Sequence, residues 1–240
     1  MVVFHVMRCA RYVLRGFLEP KKGIFDETLV NVYAGLRMAD AFGHVNNAKF
    51  LEIFEFGRWH QGGAQRIFAE FRKARVLPFV AASHVQYLLP ISPATLVTVR
   101  TRVVNTDGRW WVMRQLITDR SGRKVYAAAL FRIAIMDRSP EGEPGPQPPG
   151  AAEGRATKKA STISGEEACR RLGFDPNTVR ELLAKAWEMD INGSVAKGGP
   201  RAEDSLLAAE VLARSRALID EANDFDEKWR GLLRYASRRK

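Results

Sequence analysis

The feature that most narrows the fold of this chain is a change of period near Pro78. Upstream, from Asn46 to about Arg75, the apolar residues Phe50, Ile53, Phe54, Ile67, Phe68 and Phe71 recur at three- and four-residue steps, which predicts a long amphipathic helix with a break expected at Gly62–Gly63. Downstream the apolar residues alternate. "FVAASHVQYLL", "TLVTVRTRVVN", "RWWVMRQLITD" and "KVYAAALFRIAIMD" read as four strands, and "NTDGR" and "DRSGR" supply hairpin turns. Ahead of the helix, "TLVNVYAGLRM" carries β-branched and aromatic residues at half its positions and reads as a further strand. One strand, one long helix and four antiparallel strands define an α+β domain over residues 26–138.

Three segments flank it. Residues 1–25 form a basic amphipathic stretch with Arg8, Arg11 and Arg15 at helical spacing and no acid in the first eighteen positions. That pattern suits a mitochondrial targeting segment, or a helix lying on the domain or on a membrane surface. Residues 139–163 form a Pro/Gly-rich linker, with five of the eleven prolines between 139 and 162. Residues 164–240 read as a small all-α extension. Ser164 with Glu167 makes a capping box, Asp175 followed by Pro176 starts a second helix, and further helices run through "AEDSLLAAEVLARSRALIDEA" and "KWRGLLRYASRR". The last 13 residues hold six basic side chains and no acid, a tail suited to phosphate.

Of the net charge of +11, the whole excess sits in the first part: residues 1–140 hold 21 Lys/Arg against 10 Asp/Glu, and residues 141–240 hold 17 of each. Such a surface draws phosphate-rich partners, either nucleic acid or coenzyme A. No apolar run reaches the roughly 20 residues of a membrane-spanning helix, so a soluble protein is expected. Cys9 and Cys169 are the only cysteines, and the four histidines show no HExxH or other familiar ligand spacing. No disulfide framework and no metal are therefore expected. Phosphate-loop, dinucleotide-binding and serine-hydrolase motifs are missing from the sequence.

The stretch "DAFGHVNNA" between strand and helix reads as a catalytic loop or as a polar turn with a helix cap. Asp40, Gly43, His44, Val45, Asn46, Asn47 and Ala48, then Phe50, Phe54, Glu55 and Arg58, with Pro78, Phe79 and Val80 further on, resemble the hotdog-fold acyl-CoA thioesterases of the 4-hydroxybenzoyl-CoA thioesterase type. The later strands are similar to those of the thioesterase superfamily members. The resemblance covers about residues 26–138. It implies an antiparallel sheet of about five strands wrapped round a long central helix, paired in a homodimer with sites at the interface. It further implies that Asp40 acts as general base or nucleophile on a thioester, and that the backbone N–H of Asn47 polarises the carbonyl oxygen. Independently of the resemblance, a helix N-terminus offers unpaired donors where an oxyanion develops, and a glycine at 43 lets backbone approach a ligand. His44 and Asn46 are candidates to orient Asp40 or bond the thioester. Glu55 is the second-choice carboxylate, a salt bridge to a neighbour such as Arg58 being its simpler role. Asn46 and Asp40 equally suit a helix cap and a closed turn.

Two functions follow. One is an acyl-CoA thioesterase that needs no cofactor beyond the coenzyme A of its substrate, mitochondrial if the first segment is a targeting signal and otherwise cytoplasmic. The other is a catalytically silent module binding rRNA and protein neighbours in a mitochondrial ribosome or its assembly machinery.

Overall fold

The computed structural model describes residues 2–106, 110–138 and 162–185. The chain divides into two units, Met1–Ala186 and Trp187–Lys240. The second unit, with the two later helices and the basic tail expected there, lies outside the described residues, as do residues 139–161 of the linker and most of the "NTDGR" turn.

Five strands form an antiparallel sheet: β1 (Thr28–Ala34), β2 (Val76–Tyr87), β3 (Thr95–Asn105), β4 (Trp110–Thr118) and β5 (Val125–Asp137), in the spatial order β1-β3-β4-β5-β2. In β1 the side chains of Val30, Val32 and Ala34 point into the core while Leu29 and Tyr33 face outward, the two-residue alternation that a half-buried strand requires. The central helix α2 (Asn47–Ala64) lays Phe50, Ile53, Phe54 and Phe56 into that core. Gln115 on β4 ties helix to sheet, donating from Nε2 to the Phe54 carbonyl at 2.9 Å and to Thr101 Oγ1 at 2.8 Å. This is the hotdog arrangement expected from the sequence. β1 stops at Ala34, however, and Leu36–Met38 form a 3-10 turn rather than the end of the strand.

The long helical segment does break, but after the glycine pair. α2 continues to Ala64, and α3 (Ile67–Lys73) restarts after Arg66, which takes a left-handed φ of 57°. Gly63 is kept helical because its bare Cα meets another helix: a Cβ there would lie 2.1 Å from the Val13 carbonyl oxygen of α1 (Val2–Leu18). Arg66 then fixes the corner. Its Nη1 donates to the carbonyls of Gly16, Gly63 and Ala64 at 3.2, 2.7 and 3.3 Å, and its Nη2 to those of Phe17 and Glu19 at 2.5 and 3.0 Å. One guanidinium thus satisfies the open carbonyl ends of both α1 and α2.

The "DRSGR" turn forms as expected, with Gly122 at φ 73°. Asp119 Oδ1 accepts from the Lys124 N–H at 3.0 Å and Oδ2 from Ser121 Oγ at 2.5 Å. Burial alone would raise this carboxyl, yet the hydrogen bonds from Ser121 and the backbone N–H groups outweigh it and hold Asp119 below its ordinary range.

Past residue 161 the chain rejoins the domain. β6 (Thr162–Ile163), within the segment read as linker, pairs with β5 at Met136 and Ile135, just beyond Ala134, the partner of β4's first residue Trp110. α4 (Gly165–Arg171) starts at Ser164, whose Oγ accepts from the Glu167 N–H at 3.1 Å, and the helix α5 over 176–185 starts at Asp175, whose Oδ2 accepts from the Thr178 N–H at 2.8 Å. Ala168, Cys169, Val179 and Leu183 are buried in the same core as Phe25, Phe71 and Trp111.

Candidate functional site

The loop from Ala39 to Asn46 is built by short-range polar bonds. Asp40 Oδ1 accepts from the N–H of Phe42 at 2.9 Å and of His44 at 3.4 Å, while the Asp40 N–H donates to the His44 carbonyl at 2.8 Å. Gly43 supplies the left-handed residue of this turn, φ 76°, with open space around its Cα. Among the described residues the other carboxylate oxygen, Oδ2, accepts no hydrogen bond. A bridge between Ala39 and Val45, and a bond from the Asn46 N–H to the Met38 carbonyl at 2.8 Å, close the loop against the start of α2.

The helix then starts as a capped N-terminus. Asn46 Oδ1 accepts from the Ala48 N–H at 2.9 Å, which is the N-cap reading of this residue. The N–H of Asn47 finds no acceptor among the described residues, and its carbonyl accepts from Tyr87 Oη at 3.3 Å, which anchors the helix start to the end of β2. Asp40 is half-buried; His44, Asn46 and Asn47 are exposed. The fold therefore brings four of the five candidate residues into one loop and helix start.

Glu55 is not among them. It lies two turns further along α2, roughly 12 Å along the axis from Asn47. Its partners also differ from expectation: Oε2 stands 3.3 Å from His5 Nε2 and Oε1 accepts from Trp59 Nε1 at 3.2 Å. Arg58 takes another course because it follows Phe50 and Phe54 at four-residue steps and so falls on the buried stripe of the helix. It donates to Gln115 Oε1 at 2.8 Å and stacks 4.3 Å above the Phe131 ring. Burial draws its guanidinium down to about 10, against an opposing pull from Glu55, so it stays charged at neutral pH.

Glu55 and Arg58 stand at one wall of a cavity of about 280 Å³ between α2, α3 and the sheet. Trp111, Met113, Ile133 and Phe71 make its apolar floor, and Pro78, Phe79 and Val80 of β2 form its rim. None of Asp40, His44, Asn46 or Asn47 lines it. The cavity and the half-buried arginine beside it were not anticipated from the sequence; the four-residue step from Phe54 to Arg58 was the available signal.

A hotdog sheet wrapped on its helix, with a carboxylate loop opening that helix, defines a class, and the family follows from direct comparison. The chain belongs to the thioesterase-like superfamily, whose family model matches residues 35–155. It is 25% identical over 138 residues to protein THEM6 of Danio rerio, covering 54% of this chain and 68% of that one. It is 28% identical over 99 residues to the long-chain acyl-CoA thioesterase FadM of Escherichia coli (strain K12), covering 41% of this chain and 74% of that one. Among solved structures, the probable thioesterase YbaW from Escherichia coli aligns with a TM-score of 0.43 at 23% identity, covering 60% of this chain and 95% of that chain. The DHNA-CoA thioesterase from Staphylococcus aureus aligns with a TM-score of 0.45 at 15% identity, covering 70% and 95%.

Proposed function

We propose that this protein hydrolyses an acyl-CoA thioester, with Asp40 as general base or nucleophile and the Asn47 N–H as the oxyanion donor. The observation that supports it best is the state of Asp40. Among the described residues, one carboxylate oxygen is held by two backbone N–H groups and the other is open, in the loop that leads into a helix whose first N–H is unclaimed. A fixed carboxylate beside a positive helix end is what attack on a thioester carbonyl needs. Asp40 takes a proton from a water whose oxygen bonds to the carbonyl carbon, or bonds to that carbon itself to give a mixed anhydride that a water then cleaves to the free acid and Asp40; in both courses the carbonyl oxygen gains negative charge against the Asn47 N–H, the C–S bond breaks and the coenzyme A thiolate leaves and takes up a proton.

The working form in this reading is a homodimer paired through β2. Among the described residues that strand pairs with β5 alone, and it exposes Leu77, Phe79 and Val80, an edge that a second strand would cover. Phe79 and Val80 also rim the cavity, so pairing there would place a partner's loop over the mouth of an apolar chamber suited to an acyl group. The basic surface of residues 1–140 suits coenzyme A phosphates.

Steady-state hydrolysis of a panel of acyl-CoAs tests the reading. Asp40→Asn is expected to lower kcat by at least about 100-fold while leaving the sedimenting mass at that of two chains. Equal activity in Asp40→Asn and the unaltered protein would remove Asp40 from the chemistry.

A further inference from the structure

Away from the Asp40 loop, three metal-competent side chains converge where α1 crosses α2. His5 and Cys9 stand one helical turn apart on α1, and Glu55 faces them from α2. The His5 Nε2, the Cys9 Sγ and a Glu55 carboxylate oxygen all lie within 4.8 Å of one another. Two of the separations are sharper: Nε2 to Sγ is 3.5 Å and Nε2 to Oε2 is 3.3 Å.

The single Nε2 position has two neighbours at contact distance. A neutral imidazole Nε2 either carries a hydrogen or offers a lone pair. If it donates to Glu55 it has nothing for the Cys9 thiol; if it accepts from the thiol, it has nothing for Glu55. A cation between the three atoms serves all of them at once. Zinc bonds of about 2.3 Å to sulfur and about 2.0–2.1 Å to nitrogen and oxygen place tetrahedral donors roughly 3.3–3.6 Å apart, the spacing seen on both sides of Nε2.

We propose that His5, Cys9 and Glu55 form a binding site for a divalent cation of the zinc class that pins α1 to α2. The donor set is mixed nitrogen, sulfur and carboxylate, which favours zinc over magnesium or calcium. The surroundings fit. Trp59 holds Oε1 of Glu55 and leaves Oε2 turned toward His5, as an outer partner orients a metal-binding carboxylate. Arg8, next to Cys9 in the chain, is engaged with Glu52 and lies 4.4 Å over the Phe56 ring, so its charge is directed to another acid. Cys9 is buried, while the His5 and Glu55 side chains are 40% and 34% exposed, which leaves an entry path and a fourth position for water. A thiolate, a carboxylate and a divalent ion sum to neutrality.

The test uses the full 240-residue chain stripped with a chelator and titrated with Co²⁺, with no acyl-CoA present, so it stands or falls apart from the thioesterase reading. One equivalent is expected to bind, with tetrahedral visible bands and a thiolate-to-cobalt charge-transfer band, and Zn²⁺ is expected to displace it. Cys9→Ser should abolish the charge-transfer band, and His5→Ala and Glu55→Gln should each weaken binding by more than about tenfold. Cys169→Ser should change nothing. His5 is half-exposed, so its variant reads binding without disturbing the core, and far-ultraviolet circular dichroism checks the others. Absence of a charge-transfer band in the unaltered protein, undiminished affinity in Glu55→Gln and His5→Ala, or a band that follows Cys169 would each overturn the proposal.

Discussion

His60 is fully buried in α2, with Nε2 3.1 Å from Glu19 Oε1 and, among the described residues, no hydrogen-bond partner for Nδ1. Protonating Nδ1 would place an N–H where nothing accepts it. Burial is the largest influence and lowers the imidazole below its ordinary 6.5; the bond and charge of Glu19 oppose it, and the charges of Arg15 and Lys22 add to it. With the folded value depressed, the unfolded chain binds more protons on the acid side. The stability this residue contributes is therefore full above about 6.5 and is lost as pH falls through the folded value. Urea unfolding followed from pH 8 downward should show a decline below about 6.5, and His60→Gln should flatten it. An unchanged slope in that variant would assign the decline to other groups.

Among the elements, the crossing of α1 and α2 is the most demanding. A Cβ on Gly16 would lie 2.2 Å from the His60 carbonyl oxygen and one on Gly63 2.1 Å from the Val13 carbonyl oxygen, separations no Cβ takes. Because the obstacle is backbone on both sides, Gly63→Ala cannot be absorbed by a rotamer change. It should cost about 1–3 kcal/mol in equilibrium unfolding, whereas Gly122→Ala, in open space at positive φ, should cost only the strain of its left-handed backbone, about 1–2 kcal/mol. At this scale much of the fold was legible. β3 runs from Thr95 to Asn105 as its alternation predicts, and Ser164 and Asp175 cap the helices they announce. The break at Gly62–Gly63 was misplaced because glycine signals both flexibility and close packing, and only the neighbouring helix distinguishes them. β6 could not be read at all: two residues carry no period, and the strand exists only because β5 offers it an edge. The Asp40 turn was legible because the bonds Asp40 itself makes are local, spanning four residues or fewer. The cavity was not, since its walls come from α2, α3, β2, β3, β4 and β5, and the pairing of His5 with Glu55 joins residues fifty positions apart.

At the scale of the whole molecule, the segment that extends the thioesterase-like domain also completes it. Trp111 on β4 donates from Nε1 to the Gly165 carbonyl at 3.1 Å, Phe174 meets Phe25 edge-on at 5.5 Å, and Arg171 pairs with Asp137 at 3.1 Å. Val179 and Leu183 are buried in the shared core, each worth about 1.5–3 kcal/mol when withdrawn from water. A chain ending at Arg138 would expose the Trp111 face, and its unfolding midpoint in urea should fall by an amount that several such side chains explain. The docking of β6, α4 and α5 has a covalent counterpart. Because these elements are held by a strand pairing, a buried indole bond and apolar contact, the peptide link through 139–161 is not what keeps them in place. A protease site engineered into that stretch should yield two polypeptides that remain together through gel filtration and come apart only in denaturant. Expressed as separate halves, they should find each other again.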